Sequence, residues 1–222
     1  MPTIDIMTSL SEEAMKFSSY ITNALKEYFE HGSRSSKKVD VLHKHIKEEI
    51  DACIQQVDKA STYSCVLEYN VSSVNASGKK RSDIVVLKNG TPHIVFPVKF
   101  IMTNYKQNKN NSWENLTGEL SHLKWANPDL YIIPINVIFN QVPYLKSGGI
   151  ISKFETISYK NSFQIYEMLM QHKIAHKCLN YIIDVKQQCL VGEKYDKTPE
   201  LGSYNADTPH IPFGDLLAGI LD

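Results

Sequence analysis

The stretch RSDIVVLKNGTPHIVFPVKF, residues 81–100, constrains the fold of this chain more than any other segment. Two runs rich in valine, isoleucine and phenylalanine flank Asn89-Gly90, a dipeptide typical of a tight hairpin turn. Asp83 lies near the start of the first run, and Lys99 lies near the end of the second. Pro97 stands two residues before that lysine. The segment therefore predicts an antiparallel hairpin that carries one acid and one base.

The patterns around this hairpin predict a mixed α/β fold. Ser9 followed by Glu12 fits a capping box, and apolar residues at helical spacing continue a helix to His31. A second apolar stripe predicts a helix over 39–57. The other predicted elements are strands from Tyr63 and over 130–140 and 179–186, and helices that include 113–123, 162–172 and 213–222. This order predicts an α/β protein with a mixed central β-sheet flanked by helices.

The length and composition predict one soluble domain. The 222 residues are enough for a single core, with an N-terminal helical part over 1–58, a sheet core over 63–190 and a loop-rich tail over 192–222. The 24 basic residues balance the 24 acidic ones, so binding to a polyanion depends on local charge. Four widely spaced cysteines without zinc-ligand spacing, and no signal peptide or membrane-length apolar run, predict a cytoplasmic protein.

The hairpin resembles the core motif of the PD-(D/E)XK nucleases, the fold of most type II restriction endonucleases. In that family an aspartate begins one strand, and an acid, a spacer and a lysine lie on the next. Asp83 matches the aspartate, Val98 the spacer and Lys99 the lysine, while Pro97 occupies the place of the acid. The resemblance implies that Mg²⁺ is held by Asp83, the main-chain carbonyl of Val98 and a relocated acid, with a water activated near Lys99.

The type of turn decides which side of the sheet Asp83 faces. A two-residue Asn-Gly turn places Asp83 opposite Phe96, facing away from Lys99. A three-residue loop with Gly90 in the left-handed conformation places Asp83 opposite Val95, on the side of Lys99. The resemblance to a nuclease site therefore requires the three-residue loop.

Two further acids are candidates for the metal site. Glu49 lies on the apolar stripe of the second helix, whereas Glu48 projects to solvent, and the resemblance implies a glutamate on this helix. The alternative for Glu49 is a rim position whose carboxylate reaches water. Some family members carry the relocated acid on the helix after the lysine, where Glu114 and Glu119 lie. Facing favours Glu119 and chain distance favours Glu114, and we assign the role to Glu119.

Two other kinds of residue are given no role in the metal site. Glu68 can approach Asp83 if their strands are neighbours, but a solvent-facing glutamate is the commoner situation at such a position. The histidines show no ligand spacing, and His43 and His45 do not face together on a helix.

Two polar segments on either side of the site are candidates for DNA contact. Basic and amide side chains of this kind bind phosphates and base edges. The candidate residues are Lys79, Lys80, Arg81, Asn104, Tyr105, Lys106, Gln107, Asn108 and Lys109. The alternative is that both segments are solvated polar loops.

The resemblance implies a Mg²⁺-dependent, sequence-specific endonuclease that cuts double-stranded DNA as a homodimer, as type II restriction enzymes do. Pro97 supports an alternative in which the chain keeps the nuclease fold but has lost its metal site. Such a protein would bind DNA or a protein partner without cleavage.

Overall fold

The structure, a computed structural model, describes residues 11–32, 35–58 and 61–221. The helices are α1 (Glu12–His31), α2 (Lys37–Val57), α3 (Tyr105–Ala126), α4 (Tyr159–Ser162), α5 (Glu167–Gln171) and α6 (Phe213–Leu217). The strands are β1 (Tyr63–Ser72), β2 (Lys79–Lys88), β3 (Thr91–Phe96), β4 (Val98–Ile101), β5 (Tyr131–Ile132), β6 (Ile135–Phe139), β7 (Gln141–Leu145), β8 (Ile151–Thr156), β9 (Leu179–Lys186) and β10 (Glu200–Tyr204).

Two four-stranded sheets, ordered β1-β2-β3-β5 and β10-β9-β6-β4, meet end to end. The chain runs from β3 into β4 through Pro97, and from β5 into β6 through Ile133 and Pro134. Across this junction, Ile133 donates its backbone N–H to Val95 (2.9 Å), and Ile135 donates to Pro97 (2.8 Å). The outer pairs β1-β2, β2-β3 and β9-β10 are antiparallel, and the inner pairs β3-β5, β4-β6 and β6-β9 are parallel. The predicted mixed central sheet flanked by helices is confirmed.

Helices α1 and α2 pack against each other, and α2 packs on β1. Ser11 caps α1, since its side chain accepts a hydrogen bond from the N–H of Ala14 (3.2 Å). The capping role predicted for Ser9 lies outside the described residues. The buried ring of Phe17 packs edge-on against the ring of Tyr181 on β9, with 5.3 Å between the ring centroids. This contact joins α1 to the sheet. None of the helices in the described ranges combines the length and apolar character needed to cross a bilayer.

The turn between β2 and β3 contains two residues, Asn89 and Gly90, both with positive φ. The register shifts by one residue after this turn, so that Val86 pairs with Ile94. This irregularity adds one residue to β3 at the start of the hairpin.

The shifted register determines which residues face Asp83. Ile84 pairs with Phe96, which places Asp83 opposite Pro97 and on the same side of the strands as Lys99. From the sequence, Asp83 and Lys99 were predicted to share a side only if the turn had three residues. That prediction was wrong, because a two-residue turn followed by a bulge in β3 also places them on one side.

Three other elements differ from the sequence-based prediction. The polar stretch 104–111 is the beginning of helix α3 rather than a loop. The apolar run 130–140 is divided into β5 and β6 at Pro134, which has no N–H to donate. The hairpin β7-β8 was not predicted, and β10 extends the sheet into the predicted loop-rich tail.

Candidate functional site

Three metal-ligating side chains from three elements meet at one place beside the sheet. They are His43 on α2, Glu68 on β1 and Asp83 on β2, and their ligand atoms all lie within 4.8 Å of one another. We call these three residues the HED cluster. A second group of this kind, Glu27, Glu30 and His31, lies at the end of α1, where the ammonium of Lys37 is 3.0 Å from the imidazole. The histidine of that group is exposed and its three residues lie on one helix end, whereas His43 is buried and the HED cluster joins three elements, so the HED cluster is the stronger candidate.

Glu68 reaches the cluster because it stands directly opposite Asp83. Leu67 pairs with Ile84 and Tyr69 pairs with Ser82, which leaves Glu68 and Asp83 facing each other across β1 and β2. The φ of Glu68 is +54°, which interrupts the regular ladder at this point. A glutamate in the left-handed region costs about 1 to 2 kcal/mol relative to ordinary backbone. Backbone strain is commoner at functional sites than elsewhere, and Glu68 carries it directly opposite Asp83.

Asp83 connects β2 to the start of β4, directly after Pro97. Its Oδ2 accepts a hydrogen bond from the N–H of Val98 at 2.7 Å. This bond lies where the β2-β3 ladder ends, because Pro97 has no N–H to continue it. The resemblance implied that the carbonyl oxygen of Val98 and the carboxylate of Asp83 bind the same metal ion. In the structure, Asp83 instead contacts the N–H of Val98.

His43 is a buried, neutral imidazole beside two carboxylates. Its side chain is 7% exposed, and its Nδ1 lies 3.8 Å from Oε1 of Glu68. Burial lowers the pKa of His43 more than the charges of Asp83 and Glu68 raise it, and the charge of Lys99 lowers the pKa further. Its Nε2 has no hydrogen-bond partner among the described residues. A neutral imidazole keeps a lone pair that a metal ion can bind.

Lys99 lies at the end of a row of polar side chains across three parallel strands. It pairs with Asn136 on β6, which in turn pairs with Asn180 on β9. Asn136 is completely buried and donates from Nδ2 to Oδ1 of Asn180 at 2.8 Å. Its own Oδ1 has no partner among the described residues. An unpaired buried acceptor next to a lysine is unusual, since it loses its hydration without a replacement bond.

One cation already contacts the cluster. Nε of Arg81 lies 2.7 Å from Oε2 of Glu68, and the Arg81 side chain is 68% exposed. Arg81 therefore offsets part of the negative charge of Glu68 from the solvent side.

The acids predicted as further ligands have other partners. The carboxylate of Glu49 accepts a hydrogen bond from the hydroxyl of Tyr20 (3.1 Å) and pairs with the ammonium of Lys16 (2.9 Å). Glu119 pairs with Lys80 at 3.0 Å. Glu114 is exposed on α3. Glu49 and Glu119 are outside the HED cluster, because each faces a cation or hydroxyl of a different element.

The predicted DNA contacts divide into exposed and structural residues. Lys79 and Arg81 are exposed on β2. In α3, Lys106, Gln107 and Asn108 are exposed in the first turns of the helix. All five side chains are exposed, although Arg81 also pairs with Glu68 (2.7 Å) and Asn108 donates to the carbonyl of Asn104 (3.1 Å).

The other residues predicted to contact DNA form hydrogen bonds or ion pairs within the protein. The Oδ1 of Asn104 accepts a hydrogen bond from the N–H of Leu145 (2.7 Å), and its Nδ2 donates to the carbonyl of Leu145 (3.3 Å). Tyr105 is buried, with its hydroxyl 3.4 Å from the carbonyl of Ser162. The ammonium of Lys109 donates to the carbonyl of Asn161. Together with Lys80, which pairs with Glu119, these residues hold the fold around the site.

Sequence reasoning gave two members of the cluster no role in the metal site. Glu68 is exposed, as expected for a glutamate at such a position, and it also approaches Asp83 because their strands are neighbours, which was the stated condition. His43 was dismissed because no second histidine shares its helix face. A useful signal for His43 was its position on the apolar face with Leu42 and Ile46, where a histidine is buried.

Comparison of the chain with protein-family models, with curated proteins and with solved structures finds no match.

Proposed function

We propose that this protein is a divalent-metal-dependent DNA endonuclease whose metal site is the HED cluster. The observation that supports the proposal most strongly is the meeting of His43, Glu68 and Asp83 on the side of the sheet that Lys99 faces. Hydrolysis of a phosphodiester needs a hard cation on carboxylates and a lysine close to the reacting groups. In this proposal Glu68, from the neighbouring strand, replaces the acid that is missing at Pro97.

The donor atoms of the cluster fit a divalent cation. Two carboxylates supply oxygen ligands that suit Mg²⁺ and Mn²⁺, and the neutral imidazole of His43 favours Mn²⁺ over Mg²⁺. A bound cation would polarise the phosphate and lower the pKa of a water. Lys99 would contact the phosphate or the attacking water, while the Val98 N–H keeps the carboxylate of Asp83 in place.

Several features support double-stranded DNA as the substrate. Lys79 and Arg81 lie on the strand that leads to Asp83, and the exposed first turns of α3 follow Lys99. Basic and amide groups in these places can bind the phosphates on either side of a scissile bond. Specific cleavage by a homodimer, as in type II restriction enzymes, and a cytoplasmic location remain part of the proposal. The four cysteines are free, which fits a reducing compartment.

The test is cleavage of plasmid and phage DNA with Mn²⁺ or Mg²⁺ by the wild type and three variants. We expect Glu68→Gln and Asp83→Asn to reduce cleavage by at least about a hundredfold, since each removes a charge from the metal site. Glu119→Gln is the matched control, because Glu119 pairs with Lys80 outside the cluster, and we expect it to retain activity. If Glu119→Gln is inactive while Glu68→Gln cuts normally, the assignment of the metal site is wrong.

One observation supports a second candidate function, a DNA-binding protein without nuclease activity. Arg81 lies on Glu68 at 2.7 Å and already supplies a positive charge to the cluster. In this alternative Arg81 replaces the metal ion, and the protein binds DNA without cutting it. It predicts DNA binding that is equal in EDTA and in Mn²⁺, and no cleavage of any substrate.

A further inference from the structure

A cavity lies at the opposite end of β3 from Pro97 and the HED cluster. It has a volume of about 580 Å³ and opens beside the beginnings of β3 and β5. Its lining includes His93, Lys124, Asp129, Tyr131, Lys173 and His176. A cavity of this volume is large enough for a small organic ligand. We call it the basic pocket.

The basic pocket carries excess positive charge. Lys124 and Lys173 line it, and the charge of Lys177 acts on His176 in its wall. Asp129 is the one acid among the lining residues, so the two lining lysines and this aspartate leave a net charge of one positive unit, and Lys177 follows His176 outside the lining. No salt bridge involves these three lysines within the described parts of the chain. Lys124 is held in place by a neutral group, since it donates to the carbonyl of Leu130 at 2.9 Å.

Aromatic rings form one wall of the pocket. The ring of Tyr131 lies between the imidazoles of His93 (5.2 Å between centroids) and His176 (4.8 Å). Burial lowers the pKa of His176, and the charges of Lys124 and Lys177 lower it further. The effect on His176 follows from the same lysine charges and places them close to this wall of the pocket.

The backbone at the rim gives a reason to treat Lys173 as more than a surface lysine. Helix α5 ends in a Schellman motif, in which Ile174 donates to Leu169 (2.8 Å) and Lys173 donates to Met170 (3.0 Å). Lys173 occupies the left-handed position of this motif with a φ of +56°. Glycine is the favoured residue there, because a side chain is strained in that conformation. This chain places an ammonium at the position where the backbone favours glycine.

We propose that the basic pocket binds the phosphate group of a nucleoside monophosphate. Lys124 and Lys173 would bind the phosphate, and the imidazoles and Tyr131 would contact the base. Asp129 supplies an acceptor for a sugar hydroxyl or a base amino group. The phosphate could belong to a free nucleotide or to the 5′ end of a nucleic acid strand. This proposal is independent of the HED cluster, and its test uses EDTA so that no metal site is occupied.

The experiment is isothermal titration of the full chain with AMP, adenosine and a 5′-phosphorylated oligonucleotide. We expect AMP or the phosphorylated oligonucleotide to bind, and adenosine or the same oligonucleotide with a 5′ hydroxyl to bind at least about tenfold more weakly. AMP binding identifies a free nucleotide, and binding of the oligonucleotide alone identifies a strand end. Equal affinity with and without the phosphate, or no binding of any of these compounds, overturns the proposal.

A variant at the rim separates binding from folding. Lys173→Gly relieves the left-handed strain, so we expect its thermal midpoint to be equal to or higher than that of the wild type. Its affinity for the phosphorylated ligand should fall by about fivefold or more. Lys197→Ala is the matched control, because it removes one exposed lysine outside the pocket and should leave the affinity unchanged. An equal loss of affinity in both variants would show nonspecific attraction and overturn the proposal.

Discussion

At the scale of single residues, the left-handed backbone of Glu68 is the feature that most directly distinguishes a functional site from an ordinary strand. Glycine adopts this backbone without strain and leaves Asp83 without a facing charge. We expect Glu68→Gly to keep the free energy of unfolding or raise it by up to about 1 kcal/mol, and to abolish Mn²⁺ binding. Urea unfolding and titration calorimetry measure the two effects. A less stable variant that binds Mn²⁺ normally would show that Glu68 is structural.

Asp83 has a structural and a chemical role, which two substitutions separate. Asn keeps an oxygen that can accept from the Val98 N–H, whereas Ala leaves that N–H without its partner. We expect Asp83→Ala to lower the free energy of unfolding by about 1 to 3 kcal/mol, and Asp83→Asn to lower it by less. Both should lose Mn²⁺ binding. Equal stability of the two variants in urea would argue against a structural role for the Val98 hydrogen bond.

At the scale of elements, Pro97 marks the place where one strand changes its partners. It follows β3, which pairs with β2 and β5, and precedes β4, which pairs with β6. Pro97 is buried opposite Asp83, so Pro97→Glu would add a third carboxylate beside the cluster. We expect this variant to bind Mn²⁺ more tightly than the wild type and to be less stable in EDTA, because like charges repel without a cation. Weaker Mn²⁺ binding would mean that residue 97 does not face the cluster.

The hairpin also shows how much of the structure the sequence predicts. Apolar alternation and the Asn-Gly turn correctly predict β2 and β3, because both signals are local. The bulge near His93 is a tertiary adjustment that no local pattern shows, and it determines that Asp83 and Lys99 share a side. For the same reason the site was predicted only in part. His43 reaches it through the packing of α2 and Glu68 through the pairing of β1 with β2, and neither contact is visible in the spacing of the residues.

At the scale of the whole molecule, buried histidines make the fold sensitive to acid. Burial lowers the pKa of both His43 and His210, so the unfolded chain takes up protons at a higher pH than the folded chain. The free energy of unfolding should therefore fall as the pH decreases below about 6.5. His210 packs on the rings of Phe17 and Tyr181, and neither of its ring nitrogens has a hydrogen-bond partner in the described ranges. Phenylalanine can replace it without loss of a hydrogen bond.

We expect His210→Phe to reduce the loss of stability between pH 7.5 and pH 5, as measured by urea unfolding at each pH. His172→Phe, at an exposed position, is the control and should follow the wild type. An identical pH dependence in wild type and His210→Phe would mean that this imidazole is protonated equally in both states.

The most direct test of the central claim is the position of Mn²⁺ in crystals soaked with that ion, located by its anomalous scattering. We predict a peak bound by His43, Glu68 and Asp83, with Glu119 still on Lys80. No peak at these residues, or a peak held by Glu119 or Glu49 in their place, would contradict the account.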